Sequence, residues 1–96
     1  MPVYMIAQIS VTDRDAYRRY QTRFLEVLNR FEGKLVAYDK APTVEEGTWD
    51  YERVVLMSFP DERAFREWAD SPEYQEIAVD RRAGSHGVVL LVNGFL

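Results

Sequence analysis

Hydrophobic and polar residues follow two different periods along this chain, and the order of those periods predicts its fold. From Val3 to Val11 apolar residues recur at every second position, which is typical of a β-strand with one buried face. Apolar residues then recur at helical spacing from Tyr17 to Phe31, with Thr12 as the expected N-cap and Gly33 as the expected end of the helix. The chain is therefore predicted to begin with a strand followed by an amphipathic helix.

Two further strands and a second helix are predicted in the middle of the chain. Lys34 to Asp39 and Tyr51 to Phe59 are rich in apolar and aromatic residues. The connection between them, Lys40 to Asp50, is longer than a hairpin requires, and such loops are often functional. Asp61 to Ala69 then shows helical spacing of its apolar residues.

The last part of the chain predicts a restarted helix and a final strand. Ser71 is placed as an N-cap, and Pro72 follows in the first helical position, where its missing N–H costs nothing. This helix is expected to run to Gly84. Val88 to Asn93 is an unbroken apolar run, which suits a strand buried on both faces.

The resulting order, βαββαβ, predicts an α+β, ferredoxin-like domain that occupies residues 1–96. Such a domain has a four-stranded antiparallel sheet with its helices on one face, because short right-handed connections leave few other arrangements. The opposite face would also carry apolar residues, among them Tyr4 and Ile6. An exposed patch of that size is unusual on a monomer. We therefore expect a homodimer packed sheet to sheet.

Composition restricts the classes of partner. The chain has 16 acidic and 12 basic residues and a net charge of −4, which argues against binding to a nucleic-acid backbone. No segment approaches the roughly 20 apolar residues of a membrane-spanning helix, so no membrane partner is expected. Cysteine is absent, which excludes disulfides and thiolate chemistry. Because Met1 to Tyr4 leads directly into a strand, without a basic or long apolar leader, a cytoplasmic location is expected.

Several segments of the chain are distinctive when taken together: Val11-Thr12-Asp13, Tyr17 with Tyr20, Glu46-Gly47-x-Trp49 before Arg53, Phe59-Pro60, Trp68-x-Asp70-Ser71-Pro72-Glu73-Tyr74-Gln75 with Arg81, and the closing Val-Leu-Leu-Val-x-Gly. With these segments the chain resembles a known bacterial family, that of domain of unknown function 1330. The resemblance implies a dimeric α/β barrel, in a superfamily that also holds cofactor-free monooxygenases, lactone isomerases and haem-dependent enzymes. It implies no particular activity. Ser58 stands where the family usually has an acid before Phe-Pro, which puts a carboxylate role there in doubt.

Two residues near the long loop are candidate ligand contacts. Arg53 lies within a predicted strand, where its guanidinium could bind a carboxylate through two hydrogen bonds. The alternative is an ion pair with Glu46, Glu52 or an acid of a partner chain. Trp49 beside a glycine could stack on a flat ligand, or it could attach the loop to the partner subunit.

Four other residues complete the set of candidates. Tyr17 and Tyr74 lie on the apolar stripes of the helices, where a tyrosine is either a core residue or a hydrogen-bond donor to a ligand. Gln8 on the first strand is a further polar candidate. His86 is the sole histidine and the weak candidate for catalysis, because its usual pKa suits proton transfer near neutral pH; Asp39 or Asp80 could orient it. The alternative for His86 is a turn residue.

No metal or cofactor is expected. One histidine cannot form a site of several histidines within a subunit, and no carboxylate spacing resembles a metal-ligand motif. The leading hypothesis is a dimer that binds a small apolar or aromatic molecule in or beside the barrel, with a cofactor-free enzyme as its narrower form. The alternative is a structural or regulatory dimer with no ligand pocket. A haem or metal protein, with His86 as the axial ligand, is the third hypothesis.

Overall fold

The computed structural model describes residues 1–95 and confirms the α+β, ferredoxin-like fold. A four-stranded sheet carries three helices, because Ser71 and Pro72 divide the second helical region in two. The elements are β1 (Val3–Val11), α1 (Arg14–Leu28), β2 (Lys34–Asp39), β3 (Arg53–Phe59), α2 (Glu62–Ala69), α3 (Pro72–Gly84) and β4 (Ser85–Asn93).

The sheet has the strand order β2-β3-β1-β4, and every neighbouring pair is antiparallel. Along β1, Val3, Met5, Ala7 and Ile9 are buried, whereas the residues between them are half-buried. The buried residues face the helices, and together with Met57 and Phe59 of β3 they form the floor of the core. We call this side of the sheet the helix face and the other side the open face.

Several predicted boundaries of elements were wrong. Asp13, not Thr12, caps α1, because its carboxylate accepts hydrogen bonds from the N–H groups of Asp15 and Ala16. This helix ends at Leu28 with Asn29 as its C-cap, well before Gly33. Gly33 instead permits a close approach, since a Cβ there would lie 2.5 Å from Cε1 of Phe59.

The strands β3 and β4 also differ from prediction. β3 begins at Arg53 rather than Tyr51, and β4 begins at Ser85 rather than Val88. β4 is not buried on both faces in the single chain: it lies at the edge of the sheet, and Val88 and Leu90 on its open face are 39% and 44% exposed. The prediction failed because an apolar run indicates that both faces of a strand are covered, but it does not indicate whether the strand's own chain or a second chain covers them.

The start of α3 is as predicted. The Ser71 hydroxyl accepts a hydrogen bond from the N–H of Tyr74 at 3.0 Å, and Pro72 occupies the first turn. The same hydroxyl donates to the carbonyl of Trp68 at 2.8 Å, so Ser71 holds the end of α2 and the start of α3 together. This junction fixes the position of Trp68 relative to Tyr74, whose ring centroids are 4.1 Å apart.

Apolar side chains also occupy the open face. The register places Ile6 of β1 beside Leu56 of β3 and Leu90 of β4. Val54, Val88 and Val92 lie on the same side, since they alternate with the residues that face the helices. No helix of residues 1–95 covers this face, which matches the expectation that the second face of the sheet is apolar.

Candidate functional site

A cavity of about 380 Å³ lies between the helix face of the sheet and the helices. Its floor is formed by small and flexible side chains of the sheet, Met5, Ala7, Ile9 and Met57. A volume near 400 Å³ with a mainly apolar lining is within the usual range for sites that bind small molecules. The aromatic side chains of the lining are Tyr17, Tyr20, Phe24, Tyr38, Phe65, Trp68 and Tyr74.

Two tyrosines on facing helices form a hydrogen-bonded pair in the wall of the cavity. The hydroxyl oxygens of Tyr20 on α1 and Tyr74 on α3 are 3.0 Å apart, and both side chains are buried. Burial, followed by the neighbouring Tyr74, raises the pKa of Tyr20 well above its usual value. Tyr20 is therefore a neutral hydrogen-bond donor and acceptor at physiological pH, not a phenolate base.

Tyr17 occupies the next turn of α1 and also lines the cavity. Burial is the main reason that its pKa is raised from 10.0 to about 12, with a further contribution from Tyr38 that outweighs the opposing effect of Arg53. The guanidinium carbon of Arg53 lies 5.4 Å from the centre of the Tyr17 ring, within the range of a cation–π contact. Arg53 therefore contributes to the position of Tyr17.

Arg53 belongs to a small polar network at the edge of the cavity. Its Nη1 donates to the hydroxyl oxygen of Tyr38 at 2.6 Å, and its Nη2 lies 3.3 Å from a carboxylate oxygen of Glu52. The Nε2 of Gln21 donates to the same Tyr38 oxygen at 2.7 Å. Since a phenol oxygen accepts two hydrogen bonds and donates one, the Tyr38 proton stays available to a further acceptor. The ion pair with Glu52 is one of the alternatives expected for Arg53.

Glu52 is itself held in place from β1. One of its carboxylate oxygens accepts a hydrogen bond from the N–H of Val11 at 2.9 Å. This bond is the main reason that the pKa of Glu52 is lowered, and attraction to Arg53 adds to it. Glu52 therefore remains an ionised partner that fixes the Arg53 side chain.

Two buried donors of the cavity lining have no hydrogen-bond partner within residues 1–95. They are Nε1 of Trp68, whose side chain is almost fully buried, and Nε of Arg81, which lies two turns after Tyr74 on α3. Buried polar groups are nearly always paired, so each of these donors is expected to have an acceptor from outside the chain, either a ligand atom or an ordered water. Neither residue is among the site residues predicted from the sequence. The spacing of seven residues from Tyr74 to Arg81, which repeats one helix face, was the available signal.

The candidate residues predicted from sequence are divided between the two faces of the sheet. Tyr17 and Tyr74 line the cavity, and Arg53 lies at its edge. Gln8 and Trp49 lie together on the open face, where Nε1 of Trp49 donates to Oε1 of Gln8 at 2.8 Å. This contact folds the loop between β2 and β3 over the sheet and forms one side of a shallow groove lined by residues 42–46 and 48.

His86 also lies on the open face, at the start of β4 and opposite Ser10 of β1. It is exposed and contacts the ring of Tyr51, with centroids 6.4 Å apart. Neither of its proposed carboxylate partners binds it: Asp39 accepts from the N–H of Ala41, and Asp80 pairs with Arg19. A catalytic role for His86 stays a prediction, and the structure places this residue outside the lining of the cavity.

Residues 1–95 hold neither a cluster of metal-ligating side chains nor a membrane-spanning helix. No group of three or more His, Asp or Glu side chains in this part of the chain is arranged to hold a metal ion. None of its helices combines the length and the apolar composition needed to cross a bilayer.

Comparison with known proteins identifies relatives of the chain and supports the resemblance. The family model described as domain of unknown function (DUF1330) matches residues 2–95. The chain is also similar to the solved structure of RPA0582, a protein of unknown function from Rhodopseudomonas palustris, with 23% identity over 93% of this chain and 80% of that one and a TM-score of 0.74. No curated protein matches the sequence.

Two further solved structures share the fold. SnoaB from Streptomyces nogalater, a cofactor-independent oxygenase, is 19% identical over 99% of this chain and 94% of its own, with a TM-score of 0.73. A dimeric ferredoxin-like protein of unknown function from Jannaschia sp. CCS1 is 20% identical over 100% of both chains, with a TM-score of 0.69. At these identities the similarity shows a common fold.

Proposed function

The chain belongs to the DUF1330 family, and from that premise we propose that it is a homodimer that binds a small aromatic or apolar molecule between its sheet and its helices. The observation that carries this proposal is the cavity of about 380 Å³, which lies between the sheet and the helices, is partly open to solvent and is lined by aromatic side chains. A partly open space of this size, with a mainly apolar lining and polar groups at its edge, is typical of sites that bind small molecules.

The lining favours a flat molecule with at least one polar atom. Aromatic rings on α1, α2 and α3 face small and flexible residues of the sheet, so a planar ring system would be in contact on both sides. The hydroxyl groups of Tyr20, Tyr38 and Tyr74 lie in the same lining, and the Tyr38 proton is available. The alternative of a packed dimer without a pocket does not account for this space.

The open face supports the homodimer. Ile6 and Leu56 lie on this face beside Leu90, which is 44% exposed in the single chain. Covering the exposed part of these side chains contributes about 25 cal/mol per Å² of apolar surface, a gain that a second copy of the same face provides symmetrically. Solved structures with this fold include proteins described as dimeric, which agrees with the proposal.

A cofactor-free enzyme is the narrower form of the proposal, and the similarity to SnoaB is the specific observation that favours it. Tyr17 and Tyr20 would act as donors to an oxygen of the substrate, because their raised pKa values keep both phenols protonated at neutral pH. Such donors stabilise negative charge that develops on oxygen. In this form, binding in the cavity is the first step that any reaction requires.

Calorimetric titration with naphthol, a flat phenolic molecule, tests the proposal. Saturable binding with one site per chain is expected. Ala7→Leu adds bulk to the floor of the cavity and should weaken binding by about tenfold or more. Ala83→Leu makes the same change at an exposed position of α3 that is not part of the cavity lining, and it should leave binding unchanged. Absence of binding to the wild-type protein, or equal binding by both variants, would contradict the proposal.

A further inference from the structure

Arg81 differs from the other arginines in its surroundings. It is half-buried, it lines the cavity, and its Nε has no hydrogen-bond partner. Within residues 1–95 no carboxylate forms an ion pair with it, whereas six other arginines have such a partner. Those six are Arg19, Arg23, Arg30, Arg53, Arg63 and Arg66.

A half-buried guanidinium without a counter-charge is unfavourable, because charged groups are rarely buried unless they are paired. The remaining charges of the cavity lining do not supply that counter-charge. Arg82 adds a second positive charge, and Asp70 is exposed at the edge and forms no ion pair with Arg81. The lining of the cavity is thus net positive in a chain whose overall net charge is −4.

The unpaired buried atoms are all donors. Within residues 1–95 they are Nε1 of Trp68 and Nε of Arg81, and no buried side-chain acceptor lacks a partner. An ionised carboxylate only accepts hydrogen bonds, whereas an amide, an alcohol or a protonated acid also brings a donor of its own. A negatively charged group that only accepts hydrogen bonds is therefore the best match to the unpaired donors and to the net positive lining.

We propose that the molecule bound in this cavity is a small aromatic or otherwise apolar carboxylic acid, held in its ionised form by Arg81. This inference rests on the proposed function and specifies the ligand of the same site. The side chain of Arg81 lies in the lining of the cavity, and a guanidinium binds a carboxylate through two parallel hydrogen bonds. The aromatic wall contacts the apolar body of the acid.

A matched pair of probes tests the inference. Naphthoate and naphthamide, substituted at the same ring position, have nearly the same shape but differ in charge and in the presence of a donor. Calorimetric titration of the wild-type protein should give an affinity for naphthoate about tenfold or more above that for naphthamide. Equal affinities, or a preference for naphthamide, would overturn the inference.

Three arginine variants assign the preference to a residue. Arg81→Gln should abolish the preference for naphthoate while naphthol still binds, and Arg81→Lys should keep part of it because the charge remains. Arg18→Gln is the matched control, since Arg18 is exposed on α1 and is not part of the cavity lining; it should change nothing. Circular dichroism checks that each variant is folded. If Arg81→Gln does not fold, the affinities of the wild-type protein and of Arg81→Lys for naphthoate and naphthamide still test the inference.

The outcomes separate this inference from the proposed function. If naphthol binds and naphthoate shows no advantage over naphthamide, the cavity binds small molecules but the carboxylate assignment is wrong. If none of the three probes binds, the proposed function fails as well. If the preference persists in Arg81→Gln, a different group binds the carboxylate and the role assigned to Arg81 is wrong.

Discussion

The hydroxyl oxygens of Tyr20 and Tyr74 lie 3.0 Å apart and join α1 to α3 inside the core. Tyr20 lies one helical turn from Tyr17 and Phe24, and its ring contacts both. Tyr74 in turn packs on Trp68. One hydrogen bond thus connects the aromatic side chains on both walls of the cavity, so it affects stability and the shape of the site together.

Removal of either hydroxyl is expected to destabilise the fold. Tyr20→Phe or Tyr74→Phe leaves the other hydroxyl buried without its partner, which costs about 1 to 3 kcal/mol in the free energy of unfolding. The double variant should lose less than the sum of the two, because no unpaired hydroxyl remains. Urea unfolding measures all three. Tyr51→Phe is the control, and strictly additive losses in the double variant would contradict the coupling.

Alkaline pH should destabilise the protein through Tyr17. Its folded-state pKa of about 12 lies above the value of 10.0 expected in the unfolded chain, so only the unfolded chain releases the proton between these two values. The resulting stability is fully present below pH 10.0 and is lost as pH rises towards 12. Tyr17→Phe should show a smaller loss over this range in urea unfolding. An identical loss in the variant and the wild type would refute the assignment to Tyr17.

The closing residue of α3 controls how that helix meets α1. A Cβ at Gly84 would lie 2.6 Å from the backbone nitrogen of Tyr17, and the Gly84 carbonyl accepts hydrogen bonds from the N–H groups of Thr12 and Asp13. Gly84→Ala should therefore cost about 1 to 3 kcal/mol in the free energy of unfolding. Ala83→Ser, at the exposed neighbouring position, should have little effect. Equal stability of the two variants would contradict this prediction, because it would mean that the backbone at Tyr17 moves away from the added methyl group at no cost in free energy.

The oligomeric state should depend on the open face. Light scattering is expected to give twice the chain mass of 11.3 kDa. Leu90→Glu places a charge on the face proposed to be covered and should shift the protein to the single-chain mass. Val79→Glu makes a similar change on the outer side of α3, where Val79 is 62% exposed, and should leave the dimer intact. A monomeric wild type would contradict the homodimer.

The periodicity of apolar residues predicted which side chains face the core, but it did not predict which side chains of other elements contact them. The alternation from Val3 to Val11 gave the correct face for each residue of β1, and local hydrogen-bond chemistry predicted the cap at Ser71. The unpaired guanidinium of Arg81 could not be predicted in this way, because it depends on the absence of a carboxylate on other elements. An arginine near the C-terminus of a helix is favoured by the helix dipole in any case, so its position in the sequence does not by itself indicate a ligand.

Contacts between distant segments were the other source of error. Trp49 and Gln8 are 41 residues apart and meet only because the loop after β2 crosses the open face. Sequence spacing alone therefore grouped them with Tyr17 and Tyr74, which lie on the opposite side of the sheet. The assignment of β4 as buried on both faces failed for a related reason, since the covering of an edge strand depends on a second chain.

The indole N–H of Trp68 gives the most direct test that small molecules bind in this cavity. Trp49→Phe leaves Trp68 as the sole tryptophan, so that one indole N–H resonance in the NMR spectrum reports from the cavity wall. Titration with naphthol should shift this resonance to saturation, and the added Ala7→Leu substitution should abolish the shift. A Trp68 resonance that stays in place while naphthol binds, or naphthol that does not bind at all, would contradict the account.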